Sequence, residues 1–222
     1  MHRLRITFAR GEKIKYVAHL DLMRLWHRAL RRAEVPIVYS QGFSPRPRLS
    51  MAAPLAVGVT SEGELMDLLL TKRMAPFFLI KAVSPQLPQG LEILEAEEVS
   101  LDLPSLQAML RFAEYRAGVG REKSRDEVTK AMDSLLALTH LPWQHVRDTE
   151  VRRYDLRALV DDLWLVEEGE EEMVLGMRLH AGEKGTGRPE QVAAALGFSA
   201  APKYIHRTRL ILSSLKKPKG VQ

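Results

Sequence analysis

The chain has 222 residues, 45% of them hydrophobic and 27% charged, which supplies apolar material for one large or two small packed domains. Cysteine is absent, so a disulfide framework, a cysteine nucleophile, cysteine-built zinc sites and an iron–sulfur cluster ligated by this chain are all excluded. The formal charge of +5 is unevenly spread: residues 1–50 carry eleven basic and three acidic side chains, and residues 203–222 carry six basic and no acidic ones.

No apolar run approaches the roughly 18 residues of a membrane span, and the charged N-terminus lacks a signal-peptide core. A cytoplasmic location without a membrane partner is the expectation. Leu4–Ala9 alternates apolar and charged residues and predicts a half-buried strand, followed by a second short strand over Ile14–Val17. A helix is expected from His19 to about Ala33, with Leu20, Met23, Trp26 or His27, Leu30 and Ala33 as its apolar stripe. Pro36 stops it. Pro36–Ser40 and Leu49–Ala53 read as extended, separated by a Gly/Pro loop around Gly42, Pro45 and Pro47. Leu65–Thr71 is a strand, Ala75–Val83 a helix and Leu91–Val99 a strand.

After a short linker at Leu101–Ser105 the order begins again. Ala108–Gly118 reads as a strand, and Ser124 with Glu127 has capping-box spacing for a helix running to Leu138. His145–Leu165 and Met173–Leu179 read as strands around the acidic turn Glu167–Glu172. Pro189–Leu196 is a helix closed by Gly197, and Tyr204–Leu212 the last strand. Both halves read β-α-β-β-α-β. The expected class is α+β, with two tandem ferredoxin-like modules, each with an antiparallel sheet, over residues 1–102 and 106–215, and a basic tail at 216–222.

The helix over residues 19–33 carries Arg24, Arg28, Arg31 and Arg32 at spacings of three and four, which places them on one ridge. Guanidinium groups on such a ridge can grip phosphates in bidentate fashion; an ordinary solvated helix back carries the same residues. In the Gly/Pro loop, Arg46 and Arg48 add cations and Phe43 offers a ring for base stacking, or equally a core plug. These seven residues form the candidate nucleic-acid site. Arg153, Arg157 and Arg207 mark a second polar surface. The general acid or base of an enzyme alternative, a metal-independent endoribonuclease, would have to be His19 or His27, with Arg46 at the scissile phosphate. No histidine spacing supports a metal site.

The runs Tyr16-Val17-Ala18-His19-Leu20-Asp21-Leu22, Tyr39-Ser40-Gln41-Gly42-Phe43-Ser44-Pro45-Arg46-Pro47 and Pro54-Leu55-Ala56-Val57-Gly58-Val59-Thr60-Ser61-Glu62-Gly63-Glu64 are together similar to the radical SAM-linked protein family of bacteria, an uncharacterised group. Gly187-Arg188-Pro189-Glu190 and Ile205-His206-Arg207-Thr208 also fit. One departure is Arg46, where the family pattern often has histidine. The resemblance implies a radical SAM protein as partner, which would itself carry the iron–sulfur cluster and S-adenosylmethionine, with cobalamin in some cases. It supplies no catalytic residue. The resulting expectation is a non-catalytic accessory without a cofactor of its own, binding RNA or a ribosome-related ribonucleoprotein. The alternatives are the endoribonuclease and an adaptor that binds protein alone.

Overall fold

The alternation along the first strand is the simplest determinant of the architecture. Leu4, Ile6 and Phe8 are buried on one face while Arg3, Thr7 and Ala9 are only partly covered, the two-residue period of a strand with one packed side. In a computed structural model, which describes residues 1–147, 150–182 and 185–213, this strand is β1 (His2–Arg10). The expected basic tail at 216–222 lies outside the described residues.

The first half continues with α1 (His19–Arg32), β2 (Leu49–Met51), β3 (Thr60–Leu70), α2 (Pro76–Val83) and β4 (Leu91–Val99). The second comprises α3 (Leu106–Met109), β5 (Leu110–Gly120), α4 (Arg125–Ala137), β6 (Pro142–Arg147), β7 (Glu150–Asp155), β8 (Val160–Glu168), β9 (Glu172–Gly182), β10 (Gly185–Thr186), α5 (Pro189–Ala195) and β11 (Tyr204–Leu212). Ser124 and Glu127 make the capping box at the start of α4 that their spacing predicts.

The fold is α+β and mostly antiparallel. Among the described residues, nine strands form one sheet in the order β10-β9-β5-β11-β3-β1-β4, with β8 also on β9 and β2 also on β3; β6 and β7 pair separately. An apolar cluster around Trp26 and Phe8, whose rings meet edge to face at 5.1 Å, fills the first half. A second, including Tyr115, Met132, Met177 and Val192, fills the other. Each fully buried Leu, Ile or Phe contributes about 1.5–3 kcal/mol, so each cluster can hold its own helices to the sheet.

Several local expectations fail for identifiable reasons. Ile14–Val17 is not a strand: residues Glu12–Ile14 form a single 3-10 turn. The Arg10 guanidinium, fully buried, donates to the carbonyl oxygens of Ile14 and Val17 and wraps the segment around itself. The buried stripe of α1 is Leu22, Trp26, Ala29 and Leu30, while Leu20 is exposed. Leu106–Met109 is a helical turn capped by Ser105, so the strand expected from Ala108 starts at Leu110. Between His145 and Leu165 the described residues form the paired strands β6 and β7, a 3-10 turn and β8 in place of one extended run.

The two halves meet where β11 lies parallel to β3, with His206 opposite Thr60 and Arg207 opposite Ser61. Here the expected second polar surface has to be corrected. Arg207 is only 2% exposed. Its Nε donates to Glu64 at 2.7 Å, its Nη2 donates to the same carboxylate, and the Tyr115 hydroxyl is a further partner. Burial works against the Arg207 charge, but the Glu64 carboxylate outweighs it and holds the guanidinium pKa above its usual value. Arg157 is half-buried, and it donates to the carbonyl oxygens of Leu136 and Val160 and ties α4 to β8. Arg153 alone of the three is exposed, on β7.

Candidate nucleic-acid interface

Helix α1 packs through Leu22, Trp26, Ala29 and Leu30 and turns Arg24, Arg28, Arg31 and Arg32 to solvent. Arg24 donates to Asp21 at 2.7 Å. Among the described residues, Arg28, Arg31 and Arg32 have no carboxylate partner. Three uncompensated cations within two helical turns make a field that favours an anion at the surface.

The Gly/Pro segment is a finger. Val38 donates its N–H to the carbonyl oxygen of Leu69 in β3, and Leu69 donates to Arg48, so both legs are fastened to the sheet. Arg48 N–H reaches Val38 O at 2.7 Å and Ser40 N–H reaches Arg46 O at 2.9 Å. The Ser40 hydroxyl also accepts the N–H of Arg46. These bonds close a narrow loop whose tip spans residues 41–45, all exposed. Gly42 has φ +122, a region L side chains rarely adopt, and thereby lets the tip reverse. Phe43 is fully exposed. The core-plug reading of this ring is therefore wrong: it packs on nothing and is available for stacking.

The finger stands beside α1. Burial pushes the His27 imidazole below its usual pKa, and the nearby Arg46 guanidinium adds to this. Because the fold favours neutral His27, this residue's contribution to stability is present above the ordinary histidine pKa of about 6.5 and falls as pH drops below it. In Arg46→Ala the His27 pKa is expected to rise part-way, burial remaining. An NMR titration of the imidazole that shows no change would place the finger away from the helix.

Of the expected site residues, the fold thus brings Arg46 near α1 through His27, sets Phe43 at the tip and Arg48 at the root of the same finger, and scatters Arg153, Arg157 and Arg207. His19 opens α1 and His27 lies two turns along it, with Nε2 buried and lacking a hydrogen-bond partner among the described residues. An atom so placed is out of reach of a substrate hydroxyl in this conformation. His140 pairs with Asp155 at 2.9 Å, and no group of side chains with metal-ligand geometry occurs among the described residues. No described helix is long and apolar enough to cross a membrane. The fold also brings Arg3 to the root of the finger, because β1 pairs Arg3 with Leu69; no spacing in the sequence signals this.

The model of a family described as uncharacterised and conserved in bacteria, DUF2344, matches residues 3–189. No curated protein matches the sequence. Among solved structures, a chain of a Cbf5–Nop10–Gar1 complex is similar with a TM-score of 0.50 and 12% identity, over 94% of this chain and 48% of that one. Chains in an H/ACA RNP bound to a substrate RNA containing 2'-deoxyuridine and in an archaeal box H/ACA sRNP Nop10–Cbf5 complex align with TM-scores of 0.46, at 13% and 12% identity; each alignment covers 94% of this chain and 47% of the other. The chain therefore spans about half the length of the solved chains it matches, and at these identities the likeness is one of fold alone.

Proposed function

The chain belongs to this uncharacterised bacterial family, DUF2344, and we propose that it is a non-catalytic RNA-binding accessory of a radical SAM enzyme. The observation that carries the RNA reading is the row of unpaired, exposed arginines on α1 beside a fastened finger with an exposed phenylalanine at its tip. Cations hold the phosphates and an exposed ring takes a base face, the pairing used for single strands. A finger held by its own hydrogen bonds loses little entropy on binding. The radical SAM partner is drawn from the sequence resemblance together with the lack of cysteine, which leaves cluster, S-adenosylmethionine and any cobalamin to the partner. A cytoplasmic location belongs to the same reading.

The same reading treats residues 1–102 and 106–215 as two ferredoxin-like modules. Its support is strand order: β4-β1-β3-β2 in one half and β11-β5-β9-β8 in the other, each with a helix after the first and third strand in chain order.

Fluorescence anisotropy with a labelled single-stranded RNA tests the assignment. Affinity should fall steeply with salt, and Arg28→Glu with Arg31→Glu should weaken it at least about tenfold. Arg46→Ala with Arg48→Ala should cost about 1–3 kcal/mol of binding with an unchanged melting temperature. RNA incubated with the protein in chelator should stay intact. Salt-independent affinity, or none even with a radical SAM partner present, would leave the adaptor; cyclic-phosphate products would make the protein a nuclease.

A further inference from the structure

A cavity of about 390 Å³ opens at the root of the finger, lined by Arg3, Arg48, Leu49, Ser50, Leu69 and Ser105 among others. Its charges do not balance. Arg5, behind the lining, holds the Asp67 carboxylate through two hydrogen bonds of 2.8 and 3.1 Å. Arg3 comes no closer than 3.7 Å to that carboxylate and instead donates to the carbonyl oxygens of Leu101 and Leu103, where the linker crosses β1. Arg48 is exposed and has no side-chain partner among the described residues. Two guanidinium groups, Arg3 and Arg48, thus line the cavity beside a carboxylate already bonded by Arg5, and Arg48 is left without a counter-charge.

We infer that this cavity is a binding site for a nucleotide bearing a phosphate monoester, the terminal nucleotide of an RNA strand. The inference rests on the RNA reading given above and adds a subsite to it. A monoester phosphate carries about −1.5 to −2 at neutral pH and is drawn to the two lining arginines more strongly than an internal diester, which brings only one negative charge. The Leu69 side chain offers an apolar surface for a base, while the Ser50 hydroxyl, bonded to Gln107, and the Ser105 hydroxyl, which caps α3, lie at the rim. A few placed polar groups on an apolar cavity of this size are the usual construction of a small-ligand site. The cavity adjoins Arg48, the last residue of the finger, so a strand lying along Phe43 and Arg46 has its end within reach of the cavity.

The test compares one single-stranded RNA 12-mer in three forms, with a 5'-phosphate, with a 3'-phosphate and with neither, alongside adenosine and uridine monophosphates as free ligands. One phosphorylated form should bind about tenfold or more tightly than the unphosphorylated strand, and Arg48→Ala should abolish that difference. Arg28→Glu with Arg31→Glu should weaken all three strands together and leave the difference in place. Equal binding of the three forms, with no binding of the free nucleotides, would overturn the cavity assignment while the RNA reading stands. Binding of the free nucleotides, lost in Arg48→Ala, with no affinity for any strand, would overturn the RNA reading and leave the cavity as a mononucleotide site.

Discussion

Arg207→Ala is expected to destabilise the protein by about 3–5 kcal/mol, because it strands the Glu64 carboxylate in a seam where that residue is 4% exposed. The other cation near it, Arg10, makes no hydrogen bond to this carboxylate among the described residues and compensates only in part. Arg10 spends its donors on backbone carbonyls; burial lowers its own pKa more than the nearby Glu64 charge raises it, and the Arg207 charge lowers it further. Replacing both partners with apolar residues of similar size, Arg207→Met with Glu64→Leu, should recover much of the loss, since a buried pair as such adds little net stability. Urea unfolding of the single and double variants measures this. A loss under about 1 kcal/mol in Arg207→Ala would mean that the seam is open to water. The position is informative for function as well, since Glu64 ends the motif run that starts at Pro54, and Arg207 belongs to the later one; both runs serve the joint between the halves.

Gly63→Val should act at the same joint through shape alone. A Cβ on Gly63 would stand 2.5 Å from the carbonyl oxygen of Thr208 and 2.8 Å from the Arg209 Cα, both backbone atoms of β11. Backbone in the middle of a ladder cannot swing aside as a side-chain tip can, so the strands have to separate. Overpacking of this kind costs about 1–3 kcal/mol, and the valine's branches place it at the upper end. The expected readout is a lower urea midpoint together with faster amide exchange along β11 and the Thr60–Gly63 end of β3. Exchange that stays slow there would show that the seam is wider than its register implies. RNA affinity of the still-folded fraction should be nearly unchanged, because α1 and the finger are anchored to the first-half core and to the far end of β3.

The sequence by itself determined the elements whose signal is local. β4 and β11 have the limits that alternation and turn residues predict, and α1 and α4 differ by a residue at their ends. Their physical cause is the match between side-chain period and backbone period, which needs no distant partner. The exposure of the arginine ridge is legible for the same reason, although the stripe opposite it is rotated by a residue or two, since Leu20 and Leu22 are equally apolar and only the sheet chooses between them. The finger's composition is visible, but its form depends on hydrogen bonds to Leu69, far along the chain. Tertiary structure alone decided the burial of Arg207, the wrapping of residues 14–17 around Arg10, the merging of two expected sheets into one through β11 and β3, and the meeting of Arg3, Arg48 and Asp67 at a cavity. Each of these concerns a charged side chain or a strand edge, groups that are costly to bury unless a partner arrives. The partner's arrival is a property of the register between strands, and register is written in no single segment.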